Sequence, residues 1–319
     1  MKLRLLALGL ATACALNTLG CGKSDDAAKP PAAQGGKQTV GVSLLTLTNP
    51  FFKDMGDAMT KAAAGHGFAT NITSAELDPA KQKDQVKDFI VAKAAAIVLT
   101  PADSKSIGTS ISEANAAGIP VFTADVASLS PGAKVVCHVA TDNYGGGREA
   151  AKAVIEAING KGKVAVIDHP EVESGLMRTK GFEEEIAKVP GIQIVAKLPG
   201  RGARDQAFKA AEDILQSHPD VNAIFAINDP MALGVVAAVE KAGKVGQVTI
   251  IGFDGQPEAK QAIKDGKIYA DAVQHPNQIG QMTIDAVAKY MAGEKIEPQI
   301  LIPTGLYRQA DAQKDASLK

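Results

Sequence analysis

The chain has 319 residues, with 34 Lys and Arg against 35 Asp and Glu and a formal net charge of −1. No basic surplus argues for a nucleic-acid partner, and 45% hydrophobic residues are enough for one or two domains with ample cores. With no Trp, nine Phe and four Tyr, any aromatic cluster is informative.

Lys2 and Arg4 precede an apolar stretch, Leu5 to Leu19, too short and too rich in small residues for a membrane span. Leu19-Gly20-Cys21 resembles a bacterial lipoprotein processing site, with Thr18 where such sites usually carry Leu. Cys14 has a much shorter apolar stretch before it, and a plain secretory signal with an incidental Cys is the other reading. Residues 1–20 are therefore expected to be a signal peptide, with diacylation of Cys21 anchoring the chain to a bacterial membrane in the cell envelope or periplasm. Gly22 rather than Asp follows Cys21, which favours the outer membrane in a double-membrane bacterium. Residues 21–37 have no apolar pattern and read as a flexible tether. Processing removes two positive charges, taking −1 to −3, and leaves Cys137 as the one free thiol, so no internal disulfide forms.

From residue 40 onward strand and helix patterns alternate. Apolar strand-like runs occur at 40–45, 69–73, 95–100, 120–125, 135–140, 163–168, 192–198, 223–228 and 248–254. Helical spacing fills 51–64, 79–92, 104–117, 144–158, 174–188, 204–217, 230–242 and 257–264. Short connections and near-continuous apolar strands predict parallel sheets covered by helices on both faces. About ten strands exceed one comfortable sheet, which predicts an α/β protein of two doubly wound lobes.

Polar residues close strand after strand: Thr100, Asp125, Asp142, Asn228, Asp254 and Gln274. In open α/β sheets ligands bind beyond the carboxyl ends of the strands, so these ends would form a polar rim. Asp142 reads as a helix cap, and Asn228 and Asp254 can combine capping with ligand contact. Asn49-Pro50-Phe51-Phe52 follows the first strand. The two rings either pack the first helix or lay a face against the C–H side of a sugar.

Enzyme readings find little support. The five His show no metal-ligand spacing, no Gly-x-Ser-x-Gly elbow occurs, and Gly145-Gly146-Gly147 departs from the dinucleotide fingerprint. Cys137 lies in an apolar run and reads as inert. Neither a metal nor a cofactor is expected.

In chain order, Asn49-Pro-Phe-Phe, Pro101-Ala-Asp-Ser, Ile119-Pro-Val, Thr141-Asp-Asn, Arg178-Thr-Lys-Gly-Phe, His218-Pro-Asp-Val, Phe225-Ala-Ile-Asn-Asp-Pro-Met-Ala-Leu-Gly and Gly252-Phe-Asp-Gly resemble the ribose-binding-protein family of periplasmic sugar-binding proteins of ABC importers. The resemblance spans Gln38 to about Pro303. It implies a periplasmic binding protein of type I: two lobes joined by a three-crossover hinge and closing on a monosaccharide. Lobe one would hold 38–141 and 275–303, and lobe two 142–274 and 304–319, with crossovers near Thr141, Gln274 and Pro303. By position, Asn49, Phe51, Phe52, Thr100 and Asp125 of lobe one would bind the ligand with Arg178, Asn228, Phe253, Asp254 and Gln274 of lobe two. Asp and Arg suit this role through charge-assisted bonds to hydroxyls, and Phe253 would offer a second ring face. The implied partners are a monosaccharide and an ABC permease, for a monomer that handles no nucleic acid. A sugar receptor for a chemotaxis or signalling partner is the alternative, and the expected signal peptide, standing where a sugar-responsive repressor carries its DNA-binding region, argues against that reading.

The chain departs from the ribose-specific pattern at three places. Val126 replaces an Arg, Thr100 replaces an Asn, and Pro199-Gly200-Arg201-Gly202 lacks a further Phe. These changes argue against ribose and for a larger, differently polar pocket. Glu171, Glu173 and Arg201 read as solvated loop charges beside it.

Overall fold

The structure, a computed structural model, describes residues 38–319; the expected signal peptide, the tether and Cys21 lie outside them. The chain begins β1 (Thr39–Leu44), α1 (Pro50–Gly65), β2 (Ala69–Ser74), α2 (Pro79–Val91), β3 (Ala96–Leu99), α3 (Gly108–Ala116), β4 (Val121–Ala124) and β5 (His138–Thr141). It continues α4 (Asn143–Ala157), β6 (Gly162–Asp168), α5 (Glu173–Ile186), β7 (Ile192–Pro199), α6 (Arg204–Ser217), β8 (Ala223–Ala226), α7 (Asp229–Lys241), β9 (Thr249–Asp254), α8 (Pro257–Lys264) and β10 (Ala270–Val273). Last come α9 (Pro276–Met291), β11 (Gln299–Ile302), β12 (Leu306–Arg308) and α10 (Gln309–Ala312).

Several strand-to-helix handovers have a capping side chain as their local cause. Asn49 accepts a hydrogen bond from the Phe51 amide, and Pro50 at the first helical position needs no partner for an N–H. Asp78 starts α2 and Asp142 starts α4 in the same way.

Two six-stranded sheets result, in the orders β11-β5-β4-β3-β1-β2 and β12-β10-β9-β8-β6-β7. The first is parallel throughout, and the second is parallel except where β12 runs antiparallel to β10. Helices on both faces explain the continuous apolar strands. In β3, Ala96 and Val98 join the core beneath α1 and α9, while Ile97 and Leu99 join the one under α2 and α3. The chain leaves the first sheet after β5, returns with α9 and β11, and ends on the second with β12. The fold is two doubly wound α/β lobes linked by three crossovers.

The structure departs from the sequence expectations at several elements. Helix 104–117 shortens to α3, because Asp103 accepts from the Lys105 and Ser106 amides and folds the preceding residues into a turn. The strand expected over 135–140 is paired only from His138 to Thr141. α9, β11 and β12 lie outside the expected pattern, and β10 was marked only by Gln274 at its end. β10 is four residues with a carboxylate, Asp271, at its centre, and β11 is a half-exposed edge strand. α9 carries buried Ile279, Thr283, Ile284 and Val287 at helical spacing, and that pattern was there to be read.

Gly145-Gly146-Gly147 has a packing role. α4 and α5 cross so closely that a Cβ on Gly147 would run into the Arg178 carbonyl oxygen, and one on Gly181 into that of Tyr144. Overpacking of this kind costs about 1–3 kcal/mol. Gly147→Ala and Gly181→Ala are therefore expected to lower the melting temperature by roughly 2–10 °C, read by thermal denaturation. Gly65→Ala, which meets no atom within 4 Å, should leave it unchanged or slightly raised. Equal melting temperatures for all three would refute the close crossing.

Candidate ligand-binding site

In each sheet the strand order reverses once, at β1/β3 and at β6/β8. Doubly wound sheets bind ligands beyond the carboxyl ends of the strands at such points. Here those ends line one cavity of about 30 Å³. Lobe one contributes Leu45, Asn49, Phe51, Phe52, Asp125 and Val126. Lobe two contributes His169, Val172, Ser174, Arg178, Ile227, Asp254 and Gln274. The space takes a water or two and not a sugar ring, so the lobes stand closed onto it.

Contacts across the cleft show how far they have closed. The Ser104 amide donates to the Glu171 carbonyl at 3.0 Å, and the Glu173 amide donates to Ser104 Oγ at 2.8 Å. α5 has no capping side chain of its own, so a lobe-one serine satisfies the first amide of a lobe-two helix. The Glu173 carboxylate faces the Ala127 amide and is half-buried. Glu173 is thus part of the lobe contact, which corrects its reading as a solvated charge. Glu171 pairs with an exposed Arg201 at 3.4 Å.

Arg178 is the centre of the constellation. Its guanidinium lies 3.8 Å from the Phe253 ring centroid. Nε donates to Asn143 Oδ1 at 2.8 Å, and Nη1 donates to the Ile227 carbonyl at 2.8 Å and to Asp254 Oδ1 at 3.1 Å. Gln274 Nε2 donates to the same Asp254 oxygen at 2.7 Å. Asn49 spends its Oδ1 on the Phe51 amide, leaving its NH₂ to face the Asp254 carboxylate across the cleft.

Arg178, Asp125 and Asp254 are 4%, 3% and 2% exposed, so all three are essentially out of water. Burial pushes the Asp125 carboxyl up to about 7; Arg178 opposes this, and Asp254 and Glu173 add to it. Asp125 Oδ1 has no hydrogen-bond partner among the described residues. Burial also raises Asp254, against the pull of Arg178 and its hydrogen bonds to Gln274 and Asn49. His169 is driven down to about 4 by burial, so its ring is neutral at pH 7.

Both aspartates sit at positive φ, 65° for Asp125 and 123° for Asp254. The Val126 amide donates to the Ala124 carbonyl at 2.8 Å, making a strained γ-turn around Asp125. Such conformations cost about 1–3 kcal/mol each and persist where the surroundings dictate them.

Three expected ligand residues do not line the cavity. Thr100 is fully buried; its amide donates to Ser43 and its carbonyl accepts from Gln82, whose side chain fills the space behind β3. Asn228 is a helix cap: Oδ1 accepts from the Met231 amide, and Nδ2 donates to the Gly202 carbonyl. Phe253 is fully buried and gives its ring face to Arg178 rather than to a ligand. Asp254 does not cap α8, since Gln256 occupies that position. Phe51 and Phe52 meet edge to face, centroids 5.1 Å apart, and belong to the core while also lining the cavity. His169, Ser174, Val172, Ile227 and Leu45 had not been expected. His169 directly follows β6, and the strand-end rule that picked out Asp125 applies to it equally.

Asp125 carries a pH signature. Below about pH 4 it is protonated in both the folded and the unfolded chain. As pH rises from 3.8, its ordinary value, to about 7, the unfolded chain ionises first and stability is lost. The cost falls on the closed form, so in ligand-free protein a rise from about pH 4 to pH 8 should shift the parent, and not Asp125→Asn, toward the open arrangement, read as a pH-dependent radius of gyration. A radius that responds to pH equally in both proteins would contradict the burial of this charge on closure.

Residues 40–295 match the family model described as a periplasmic binding protein domain. The chain is 36% identical to the ribose import binding protein RbsB of Bacillus subtilis, over 95% of this chain and 96% of that one. It superposes on an ABC transporter solute-binding protein of Bacillus halodurans with bound myo-inositol (28% identity, TM-score 0.82, 89% and 98% of the two chains). It also superposes on one from Actinobacillus succinogenes with bound D-allose (30%, 0.81, 88% and 100%). The chain belongs to the ribose-binding-protein family of type I periplasmic sugar-binding proteins.

Proposed function

We propose that the chain is the substrate-capturing component of an ABC importer, holding one monosaccharide or cyclic polyol between its lobes and handing it unchanged to a permease. The observation that carries this is the convergence of Asp125, Arg178 and Asp254 at the carboxyl ends of both sheets, beside the rings of Phe51 and Phe52. Ionised carboxylates and a guanidinium satisfy several hydroxyls at once, and an apolar wall accepts the C–H face of a ring.

Asp125 Oδ1, which lacks a partner, gains a hydroxyl donor when the ligand binds. A ring reaches this space only after the lobes part, and it then takes the place of the direct approach between Asn49 and Asp254. Related proteins are named for ribose, myo-inositol and D-allose, so the scaffold suits polyhydroxylated rings of several sizes. For this chain the reading favours a ring other than ribose. Val126 lines the cavity without the charge that ribose-specific relatives carry there, and Gly202 lies against His169 where they place a ring.

The same reading places the protein in the cell envelope as a monomer tethered through a lipid on Cys21. Leu19-Gly20-Cys21 supports the anchor, and mass spectrometry of membrane-extracted protein should find an acylated Cys21 at its terminus.

A thermal-shift panel of pentoses, hexoses, polyols and amino sugars tests the function. The true ligand at 100 times its dissociation constant stabilises by about 2.7 kcal/mol, a rise of several degrees. Silence across the panel, or a chemically altered ligand after incubation, would overturn the proposal.

With that ligand, Asp125→Ala and Arg178→Ala should each lose about 2–5 kcal/mol of binding, roughly 30- to several-thousand-fold, because the first leaves a ligand hydroxyl without its acceptor and the second leaves Asp254 without its cation in a dry cleft. Phe52→Ala removes apolar contact alone and should lose about 1–3 kcal/mol. Calorimetry that finds Asp125→Ala and Arg178→Ala binding like the parent would remove these residues from the site.

A further inference from the structure

Two carboxylates outside the cavity lining lie behind the site. Asp229, the first residue of α7, is 1% exposed, and Asp271, in the middle of β10, is fully buried. Asp229 Oδ2 accepts from the Gln256 amide at 2.6 Å, and Asp271 Oδ2 accepts from the Gly255 amide at 3.0 Å. The two remaining oxygens have no donor among the described residues. They converge over Gly252, where an added Cβ would lie 3.0 Å from Asp271 Oδ1 and 3.2 Å from Asp229 Oδ1. The carboxyls stand within hydrogen-bonding reach of each other.

Two ionised carboxylates cannot share such a space, whereas one proton between them makes a hydrogen bond. Their outer oxygens grip the two amides that follow Asp254, the residue held at a φ of 123°. We propose that Asp229 and Asp271 are positioning residues for the ligand site: a pair sharing one proton, with Asp229 the donor, that clamps Gly255 and Gln256 and so aims Asp254 into the cleft. This rests on the assignment of Asp254 to the ligand site.

The charged groups facing the pair are consistent with one retained proton. Asp254 on β9 repels both carboxyls, while Arg178 on α5 favours the ionised form of Asp271. α8 is preceded by neutral Gln256. β12 sets Tyr307 opposite Asp271, with its hydroxyl engaged by Asp315. Burial first, then repulsion by Asp271, holds Asp229 well above the usual carboxylate range, and burial lifts Asp271 to about 7. Raising the pH removes the shared proton, and the pair changes from clamp to repulsive contact.

Asp229→Asn and Asp229→Ala separate positioning from packing. The amide keeps an acceptor for Gln256 and a permanent donor toward Asp271; the methyl group keeps neither. In ligand-free protein, amide exchange at Gly255 and Gln256 should show protection that falls from pH 6 to 9 in the parent. Protection should stay constant in Asp229→Asn and be lost at every pH in Asp229→Ala. Affinity for the sugar found by thermal shift should fall in the parent relative to Asp229→Asn by roughly ten-fold over the same range. Taking the ratio cancels the titrations of Asp125 and Glu173. Normal protection in Asp229→Ala, or a flat affinity ratio from pH 5 to 9, would overturn the proposal. If no sugar binds the parent, the exchange data still decide the clamp, and it is the sugar-binding reading that fails.

Discussion

Arg178 carries its charge out of water onto the ring of Phe253, and the groups that hold it there come from every layer of lobe two. Removing an ion from water costs several kcal/mol even after relaxation, and the cost is met when carboxylates and carbonyl dipoles surround it in good geometry. Asn143 at the start of α4, the Ile227 carbonyl after β8 and Asp254 at the end of β9 supply that geometry. Their convergence depends on α4 and α5 crossing on bare glycine backbone, because a side chain at Gly147 would push against Arg178 itself.

Lobe one faces this cation with a carboxylate that lacks a partner. Asp125 is turned toward the cleft by a strained γ-turn and has one oxygen without a donor. A buried acceptor left this way costs about 1–3 kcal/mol or more. A hydroxyl donor relieves the cost, so the energy that disfavours the closed, ligand-free arrangement becomes binding energy when a polyol arrives. Ser104 and Glu173 meet at the rim in the same closed form. On the proposed function, lobe closure and ligand capture are one process, with the hinge formed by three crossovers.

The doubly wound plan was legible in the sequence because apolar runs, caps and short loops all agreed; Asn49-Pro50 and Asp78-Pro79 mark helix starts by residue type alone. The site was legible as a set of strand ends. What sequence cannot convey is which face of a strand-end residue looks into the cleft. Asn228 turns back to cap its own helix, and Phe253 turns inward beneath a guanidinium. His169 lines the cavity by its place directly after β6, and its residue type alone does not set it apart from the other four histidines. Asp271 interrupts the apolar run of β10, so only Gln274 at its end marked that strand, and the carboxyl pair behind Asp254 did not show.

In the proposed reading the closed arrangement of the lobes is the ligand-bound one, stabilised by hydroxyls that complete the Asp125–Arg178–Asp254 constellation. Small-angle X-ray scattering with and without saturating sugar tests it most directly. The expected result is a larger radius of gyration for the free protein and, with sugar, a curve that matches the closed lobes. A free protein that already scatters as the closed form, unchanged when sugar is added, would contradict it.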